Sequence, residues 1–404
     1  MSKPLTFFCI TCYFKGEAFL KACKDAGNTV YLLTNKKLEN EPWPWEAIDE
    51  VFYVEQDDNT PENMWNIAKG VSWVMRTKKI DRIVALDDFD VEKGAFLREH
   101  FRIPGMGQTT ARYFRDKLAM RVKAQESGIP VPPFTSLFHD EDVRRFAAEV
   151  PAPWLVKPRA EASATGIKKI YLAEELWPVL EQLGSERHMY LLEQFKPGDV
   201  YHADALSVDG DVLFCRVSQY LNTPFEVAHG GGIFRSQTVE FGGKDDKALQ
   251  KLNAEVMQAF GMLFSASHTE FIKSKEDGKF YFLETASRVG GAHLAELVEI
   301  SSGINLWAEW ANVETATARK ETYELPEVKK DYAGIIISLS RFEYPDTSVF
   351  NDPEIAWRIN KKHHVGMILR SDRKERIQEL LEAYALKIQE DFHASAPVPD
   401  KPSH

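Results

Sequence analysis

Strand-like and helix-like segments alternate through the first hundred residues, and this alternation limits the possible folds more sharply than any other feature. Residues 5–10 form a continuous apolar run, 17–26 read as a helix stopped by Gly27, and 29–33 are apolar and rich in β-formers. Residues 61–78 read as a helix, 80–86 as a third strand ending in Asp87-Asp88, and 92–100 as a further helix before Ile103-Pro104-Gly105. Strands spaced by helices of about 10–15 residues predict a parallel, doubly wound sheet. Such sheets bind ligands at the carboxyl ends of their strands, where Asp87 and Asp88 fall. Helix capping is the commoner role for acids in that position.

A helix over 111–127 follows, stopped by Gly128, and then comes Ile129-Pro130-Val131-Pro132-Pro133. Prolines this dense fix an extended connector and mark a domain boundary. Beyond it, helices mix with hairpin-like strands at 154–158, 168–172, 189–195 and 200–208, the last meeting a turn at Asp209-Gly210-Asp211. Another hairpin carries Phe271 and Tyr281. This half reads as α+β. From about residue 321 the chain supplies a strand at 334–339, a helix at 373–390 and a polar tail over 396–404.

Composition narrows the partners. A formal charge of -11 argues against nucleic acid or an anionic membrane as the main partner. No run approaches the roughly 18 apolar residues of a membrane span, and the opening segment MSKPLTFFCITCYFKGEAF lacks the apolar core of a signal peptide. A cytoplasmic enzyme acting on small molecules is expected. Four cysteines in 404 residues make no disulfide framework. Cys9-Ile10-Thr11-Cys12 has the spacing of a redox pair or half a zinc site, but no second pair accompanies it and Cys9 closes an apolar strand, so packing is the expected role. P-loop, H-E-x-x-H and G-x-S-x-G motifs are all absent, and Gly105-Met106-Gly107 precedes no matching third glycine.

What remains is a dispersed set of polar residues. Lys157 interrupts the apolar strand Trp154-Leu155-Val156-Lys157-Pro158, where an ammonium needs either an anion or a route to water. Lys117 sits in the helix ahead of the proline connector, on a solvated face or near a ligand. The small residues between Arg159 and Ile167 let backbone N–H groups approach an anion, for which phosphate is the usual occupant. Period-two alternation puts His202, Asp204 and Leu206 on one strand face, half polar like the rim of a cleft. Glu270 and Glu284 lie on two strands joined around Glu276-Asp277-Gly278. A three-residue loop over 276–278 would pair Lys275 with Lys279 and set Glu270 opposite Glu284. Like charges so placed cost roughly 0.2–1 kcal/mol unless a divalent cation lies between them. A two-residue Asp277-Gly278 turn would send the two carboxylates to opposite faces. Both registers stay open at this stage, as do a metal pair and an exposed charge pair. Arg288 beside Gly290-Gly291-Ala292-His293 can clamp a carboxylate or phosphoryl group, and His229-Gly230-Gly231-Gly232 before Arg235 reads as a mobile cover over about 228–236.

In this order the residues resemble the ATP-grasp superfamily over most of 1–310. The likeness rests on Arg115-Asp116-Lys117 before Gly128-Ile129-Pro130-Val131-Pro132, on Val156-Lys157-Pro158 with its small-residue loop, and on Glu193-Gln194-Phe195 before Pro197-Gly198. It closes with His268-Thr269-Glu270-Phe271 and the run Phe282-Leu283-Glu284-Thr285-Ala286-Ser287-Arg288-Val289-Gly290-Gly291. The resemblance implies an α/β and α+β architecture. A doubly wound pre-grasp domain (1–112) would precede a lid subdomain (113–195), a catalytic subdomain (196–320) and a C-terminal subdomain and tail (321–404). The nucleotide would lie between the two α+β subdomains. Lys117 and Lys157 would contact ATP phosphates, with Lys157 also catalytic, and Ser163, Ala164, Thr165 and Gly166 would close over them. Glu193, Gln194 and Phe195 would form the adenine-side hinge. Glu270 and Glu284 would ligate Mg2+, or Mn2+ in its place, and Arg288 would stabilise an acyl phosphate and the tetrahedral state after it.

Two positions depart from that pattern. Ala286 stands where many members carry an asparagine metal ligand, leaving water or Ser287 to substitute. Val200 stands at a common acidic ribose contact, which shifts that role to Asp199 or His202. The details around His268 and Ser287–His293 resemble the L-amino acid ligases and related carboxylate–amine ligases, which form an amide through an acyl phosphate and release ADP and phosphate. A small-molecule carboxylate and amine, amino acids foremost, are the implied substrates, with Arg235, His268 and His293 as candidates for reading them. A homodimer is the commonest closed assembly for such a chain. Two alternatives remain: a bicarbonate-activating enzyme like biotin carboxylase, which the His202-x-Asp204 strand suits, and a non-catalytic nucleotide-binding regulator, which Ala286 suits.

Overall fold

A computed structural model describes residues 4–55, 60–161, 165–223, 227 and 231–395. The first sheet holds β1 (Thr6–Ile10), β2 (Thr29–Asn35), β3 (Glu50–Val54) and β4 (Arg82–Ala85), all parallel, in the order β3-β2-β1-β4. Helices cover both faces, which is why β1 is apolar from Phe7 to Ile10. Phe7 and Cys9 pack beneath the helix Glu17–Asp25, while Phe8 and Ile10 pack against Ile67, Val71 and Leu97. The strand reading missed β3, a half-buried edge strand whose alternating Glu50-Val51-Phe52-Tyr53-Val54 is short and mixed. Cys9, Cys12 and Cys23 are all buried, and burial pushes the Cys9 thiol far up, so these cysteines are core packing.

The second sheet, β5 (Phe134–Ser136), β6 (Trp154–Pro158), β7 (Lys168–Ile170) and β8 (Tyr190–Gln194), is antiparallel in the order β5-β8-β6-β7. Trp154, Val156 and Leu192 face the helices Asp140–Glu149 and Ala173–Leu183. By alternation, Leu155, Lys157 and Glu193 face the other way.

The third sheet has eight antiparallel strands: β9 (Gly198–Val208), β10 (Asp211–Tyr220), β11 (Phe234–Thr238), β12 (Ser265–Ser274), β13 (Phe280–Ala286), β14 (Tyr332–Leu339), β15 (Ile355–Arg358) and β16 (His364–Ser371). Their order is β13-β12-β9-β10-β11-β14-β16-β15. Residues beyond 321 therefore extend this sheet through the β11–β14 pair. The helix Leu306–Arg319 joins it to the first sheet, Trp310 meeting Phe19 edge-on at 5.1 Å between ring centroids. The proline connector touches both antiparallel sheets: Pro130 O accepts from Phe282 N and Pro133 O from Gln194 N, each at 2.8 Å. The expected helix over 111–127 is broken. Gln108–Arg112 and Lys117–Glu126 are separate helices, because Asp116 caps the second one through Leu118 N and Ala119 N.

The C-terminal helix Lys374–Asp391 approaches β14 closely at Gly334, where a Cβ would stand 2.6 Å from Ile377 and 2.7 Å from Leu381. Gly334→Ala is expected to lower stability by about 1–3 kcal/mol through overpacking. A urea midpoint equal to wild type would show that the helix recedes without cost.

Candidate active site

The second and third sheets face one another across a cavity of about 650 Å³. One wall comes from β6 and β8, the other from β9, β12 and β13, and Asp88 and Arg115 reach it from the first sheet and the turn before Lys117. Among the described residues no helix is long and apolar enough to cross a membrane.

Lys157 reaches this cavity because alternation turns Trp154 and Val156 to the helices. Its Nζ donates to Glu193 Oε1 at 2.6 Å. The other Glu193 oxygen accepts from Arg121 Nε, and Arg121 Nη1 donates to Leu283 O across the cleft. All three side chains are buried. Burial lowers the Lys157 pKa, Arg121 adds to that, and Glu193 opposes it, leaving the ammonium at about 8. Burial would raise the Glu193 carboxyl, but Arg121 and Lys157 hold it below its ordinary value. The expected adenine-side role of Glu193 is therefore corrected for its side chain, which is spent on this ionic link. The N–H groups of Gln194 and Phe195 are also engaged, by Pro133 O and Pro153 O. Lys169 Nζ lies 3.4 Å over the Phe195 ring. Arg121 escaped the sequence reading, although its place four residues after Lys117 puts both on one helical face.

Lys117 opens its helix, and its Nζ lies 2.6 Å from Glu161 O and 2.7 Å from Glu284 Oε2. Glu270 and Glu284 are direct Cα partners across β12 and β13. The route to that pairing differs from either expected loop. Ser274 N bonds Lys279 O and Lys273 faces Phe280, so four residues close the hairpin, and an irregularity at Leu283 shifts the ladder by one. Glu270 Oε1 accepts from the Tyr220 hydroxyl at 2.9 Å. Burial raises the Glu284 carboxyl, but Lys117 foremost, with Lys157 and Arg121, holds it below its usual value. Two facing carboxylates, one of them already drawing a lysine ammonium, fit a divalent cation. Ala286 offers no donor beside them, and Ser287 turns to the buried side, where its carbonyl accepts from Ser265.

Beneath Glu270 lies a buried polar group. His202 Nδ1 is 2.6 Å from Asp204 Oδ2 and its Nε2 is 2.7 Å from Ser236 Oγ. His202 is fully buried with both nitrogens engaged, so its expected ribose or nucleotide contact is corrected. His268 reaches the cavity wall, its Nδ1 2.8 Å from Asp204 Oδ1. Burial lowers the imidazole pKa, but Asp204 outweighs it and lifts the group to about 9. His202, Asp204 and His268 could in principle share a metal, but spacings of 2.6–2.8 Å are hydrogen-bond lengths, shorter than the separation of ligands around one ion. Gly290 is required here, since a Cβ would stand 2.8 Å from Asp204 Oδ1 and 3.1 Å from His268 Nδ1.

Arg288 lines the cavity and is anchored by Asp88 Oδ2, with Nε at 2.8 Å, while its Nη1 donates to Val289 O. Asp87 takes the capping role, accepting from Phe89 N, and pairs with Lys15. Three expected contacts fall off the wall. Arg235 lies on the opposite face of β11 from the lining residue Phe234 and bonds Asn222 at 2.9 Å. His293 turns away in a left-handed conformation and meets Glu296 at 3.0 Å. Asp199 lies 3.6 Å from Lys275, while Gly198 and Val200 take the wall. Thr165 lines the cavity and Gly166 has φ 71° beside Pro158. Ser163 and Ala164 lie outside the described residues, as do His229 and Gly230 of the expected cover and the tail over 396–404.

No protein-family model matches the chain. It is 27% identical over 249 residues to the L-arginine-specific L-amino acid ligase of Bacillus subtilis, covering 59% of each sequence. It is 25% identical over 182 residues to D-alanine–D-alanine ligase of Neisseria meningitidis, covering 45% of this chain and 59% of that one. The chain thus spans about three fifths of the length of these curated relatives. The crystal structure of an L-amino acid ligase from Bacillus licheniformis superposes with a TM-score of 0.74 at 18% identity, over 97% of this chain and 99% of the other. N5-carboxyaminoimidazole synthetase from Staphylococcus aureus complexed with ADP superposes with a TM-score of 0.72 at 14% identity, over 95% and 98%. The chain has the ATP-grasp fold.

With the Lys157 ammonium titrating at about 8, affinity for a nucleotide polyphosphate should fall as pH rises through that value, because only the protonated form attracts the anion. Calorimetric titration checks this. Lys157→Arg, which stays charged, should flatten the profile; a wild-type profile that is already flat would remove Lys157 from the anion site.

Proposed function

We propose that the chain is an ATP-dependent carboxylate–amine ligase that joins an amino acid to an amine through an acyl phosphate, working in the cytoplasm. One observation carries the reading: Lys117, Lys157, Arg288, Glu270 and Glu284 all border a single cavity between the two antiparallel sheets. The L-amino acid and D-alanine ligase relatives support it. In this reading residues 1–112 are the pre-grasp domain, 113–195 the lid and 196–320 the catalytic unit, whose sheet the strands of 321–404 extend.

Lys117 and Lys157 would hold the phosphates of ATP by charge-assisted hydrogen bonds. Glu270 and Glu284 would hold Mg2+, or Mn2+ in its place, which supplies charge neutralisation during phosphoryl transfer. The substrate carboxylate attacks the γ-phosphorus, the bond to ADP breaks, and a poor electrophile gains a good leaving group. The amine then attacks the acyl carbon, inorganic phosphate leaves, and the nitrogen gives up its proton. Arg288, fixed by Asp88 and Val289 O, would donate to the oxygen that gathers charge in both steps. The feature offered for the bicarbonate alternative, the His202-x-Asp204 strand face, is buried packing and does not favour it. Retention of both lysines and both carboxylates favours turnover over a purely regulatory role.

ADP and phosphate release from Mg·ATP is expected to depend on an amino acid, with a condensed product visible by mass. Glu284→Gln should lower that release on the order of 10²-fold or more with an unchanged melting profile. Turnover like wild type in this variant would sink the metal assignment, and release that needs bicarbonate instead of an amine would move the reaction to carboxylation.

A further inference from the structure

Arg115 lines the cavity, yet the chemistry above leaves its charge unused. Its side chain is 8% exposed, its guanidinium carbon lies 4.4 Å from the Phe89 ring centroid, and its Nε is buried without a hydrogen-bond partner. Each neighbouring cation donates to a carboxylate: Lys117 to Glu284, Lys157 and Arg121 both to Glu193, Arg288 to Asp88, and Lys15 to Asp87. No carboxylate among the described residues pairs with Arg115. A buried guanidinium N–H without an acceptor is costly, and stacking on a phenyl ring offsets little of that.

Asp88 shows the opposite deficit. Its Oδ2 takes Arg288, while its Oδ1 is buried with no donor. Burial would raise this carboxyl, but Arg288, Arg115 and Lys15 hold it below its ordinary value, so it stays an anion. Arg115 and Asp88 sit where the carboxyl end of β4 meets the turn before Lys117, which is the ligand-binding end of a doubly wound sheet. A cation short of an acceptor beside an anion short of a donor complements a zwitterion.

We propose that Arg115 and Asp88 form the head-group receptor for a free α-amino acid, its carboxylate held by the Arg115 guanidinium and its ammonium by Asp88 Oδ1. The inference rests on the ligase reading and names the residues that hold its substrate. Arg288 stays with the reacting oxygen, and Arg115 holds the molecule in place. A planar fork matches a carboxylate with two parallel hydrogen bonds, which lysine cannot supply.

The test is binding of the common L-amino acids to the full chain in the presence of Mg·ADP, read by calorimetry. Each amino acid is compared with its C-terminal amide and its deamino counterpart. Wild type should bind at least one amino acid about tenfold or more tightly than either analogue. Arg115→Gln should erase the preference for acid over amide while ADP affinity stays as in wild type, a pattern that general loss of structure does not produce. Arg115→Lys, which keeps the charge, should retain part of the preference and serves if the glutamine variant fails to fold. An acid-over-amide preference that survives in both variants overturns the receptor, as does a wild type that binds no amino acid. ADP release supported by carboxylates but indifferent to Arg115 would overturn the receptor and keep the ligase. Amino-acid binding lost in Arg115→Gln, in a wild type that releases no ADP with any acid, would keep the receptor and overturn the ligase.

Discussion

The ionic link Lys157–Glu193–Arg121 fixes how the two antiparallel sheets face each other. Glu193 and Lys157 belong to one sheet, and Arg121 rides the helix after the broken segment at Asp116 and bonds the carbonyl of Leu283 in the other. Removing three ionic groups from water is unfavourable on its own, and satisfied hydrogen bonds must offset it. The return is positional. Glu193 cannot accept from both cations unless the sheets lie at one separation, and that separation gives the cavity its width. The link carries one net positive charge, so the wall keeps an attraction for anions even with its carboxylate fully engaged.

Much of the architecture was legible because it follows from periodicity. The helix-spaced strands gave the parallel sheet, and the prolines at 130, 132 and 133 were read as an extended connector, which the structure runs between the two antiparallel sheets. The lysine inside the apolar strand Trp154–Pro158 was read as needing an anion or a route to water, and it meets Glu193. The failures share one cause, since each depended on a partner distant in the chain. The facing of Glu270 and Glu284 was one of two registers left open, and it is reached through a four-residue hairpin and a shift at Leu283 that no local pattern shows. His202 looked like the rim of a cleft because a polar residue on a strand suggests exposure; Asp204 and Ser236 satisfy it in the interior instead. Arg235 lay one residue from a cavity-lining position and therefore on the wrong face. The strands beyond 340 were unreadable because their apolar faces are completed only by the helix Lys374–Asp391.

The buried group under Glu270 shows how a polar interior can be made consistent. Asp204 gives one oxygen to each of two imidazoles, so neither histidine can rotate without leaving a carboxylate oxygen unpaired. That holds His268 at the wall beside Glu270 and Tyr220, and it demands a residue at 290 with no side chain. Gly290, the first of the two glycines after Arg288, thus has a packing cause independent of any ligand, which explains part of a motif otherwise read only as chemistry.

The pairing of β11 with β14 places the middle of the chain against strands made about a hundred residues later. During synthesis the stretch through 238 can form its hairpins and bury most of its helices while β11 still presents an open row of amides and carbonyls. Such a row is a template for any other strand that meets it, and only the emergence of Tyr332–Leu339 ends that exposure. The C-terminal segment, whose Ile335 and Ile368 back the cavity-lining Val200, Tyr220 and Ile272, therefore also governs how safely the nascent chain matures, and a ribosome that stalls before residue 332 releases a protein with an adhesive edge.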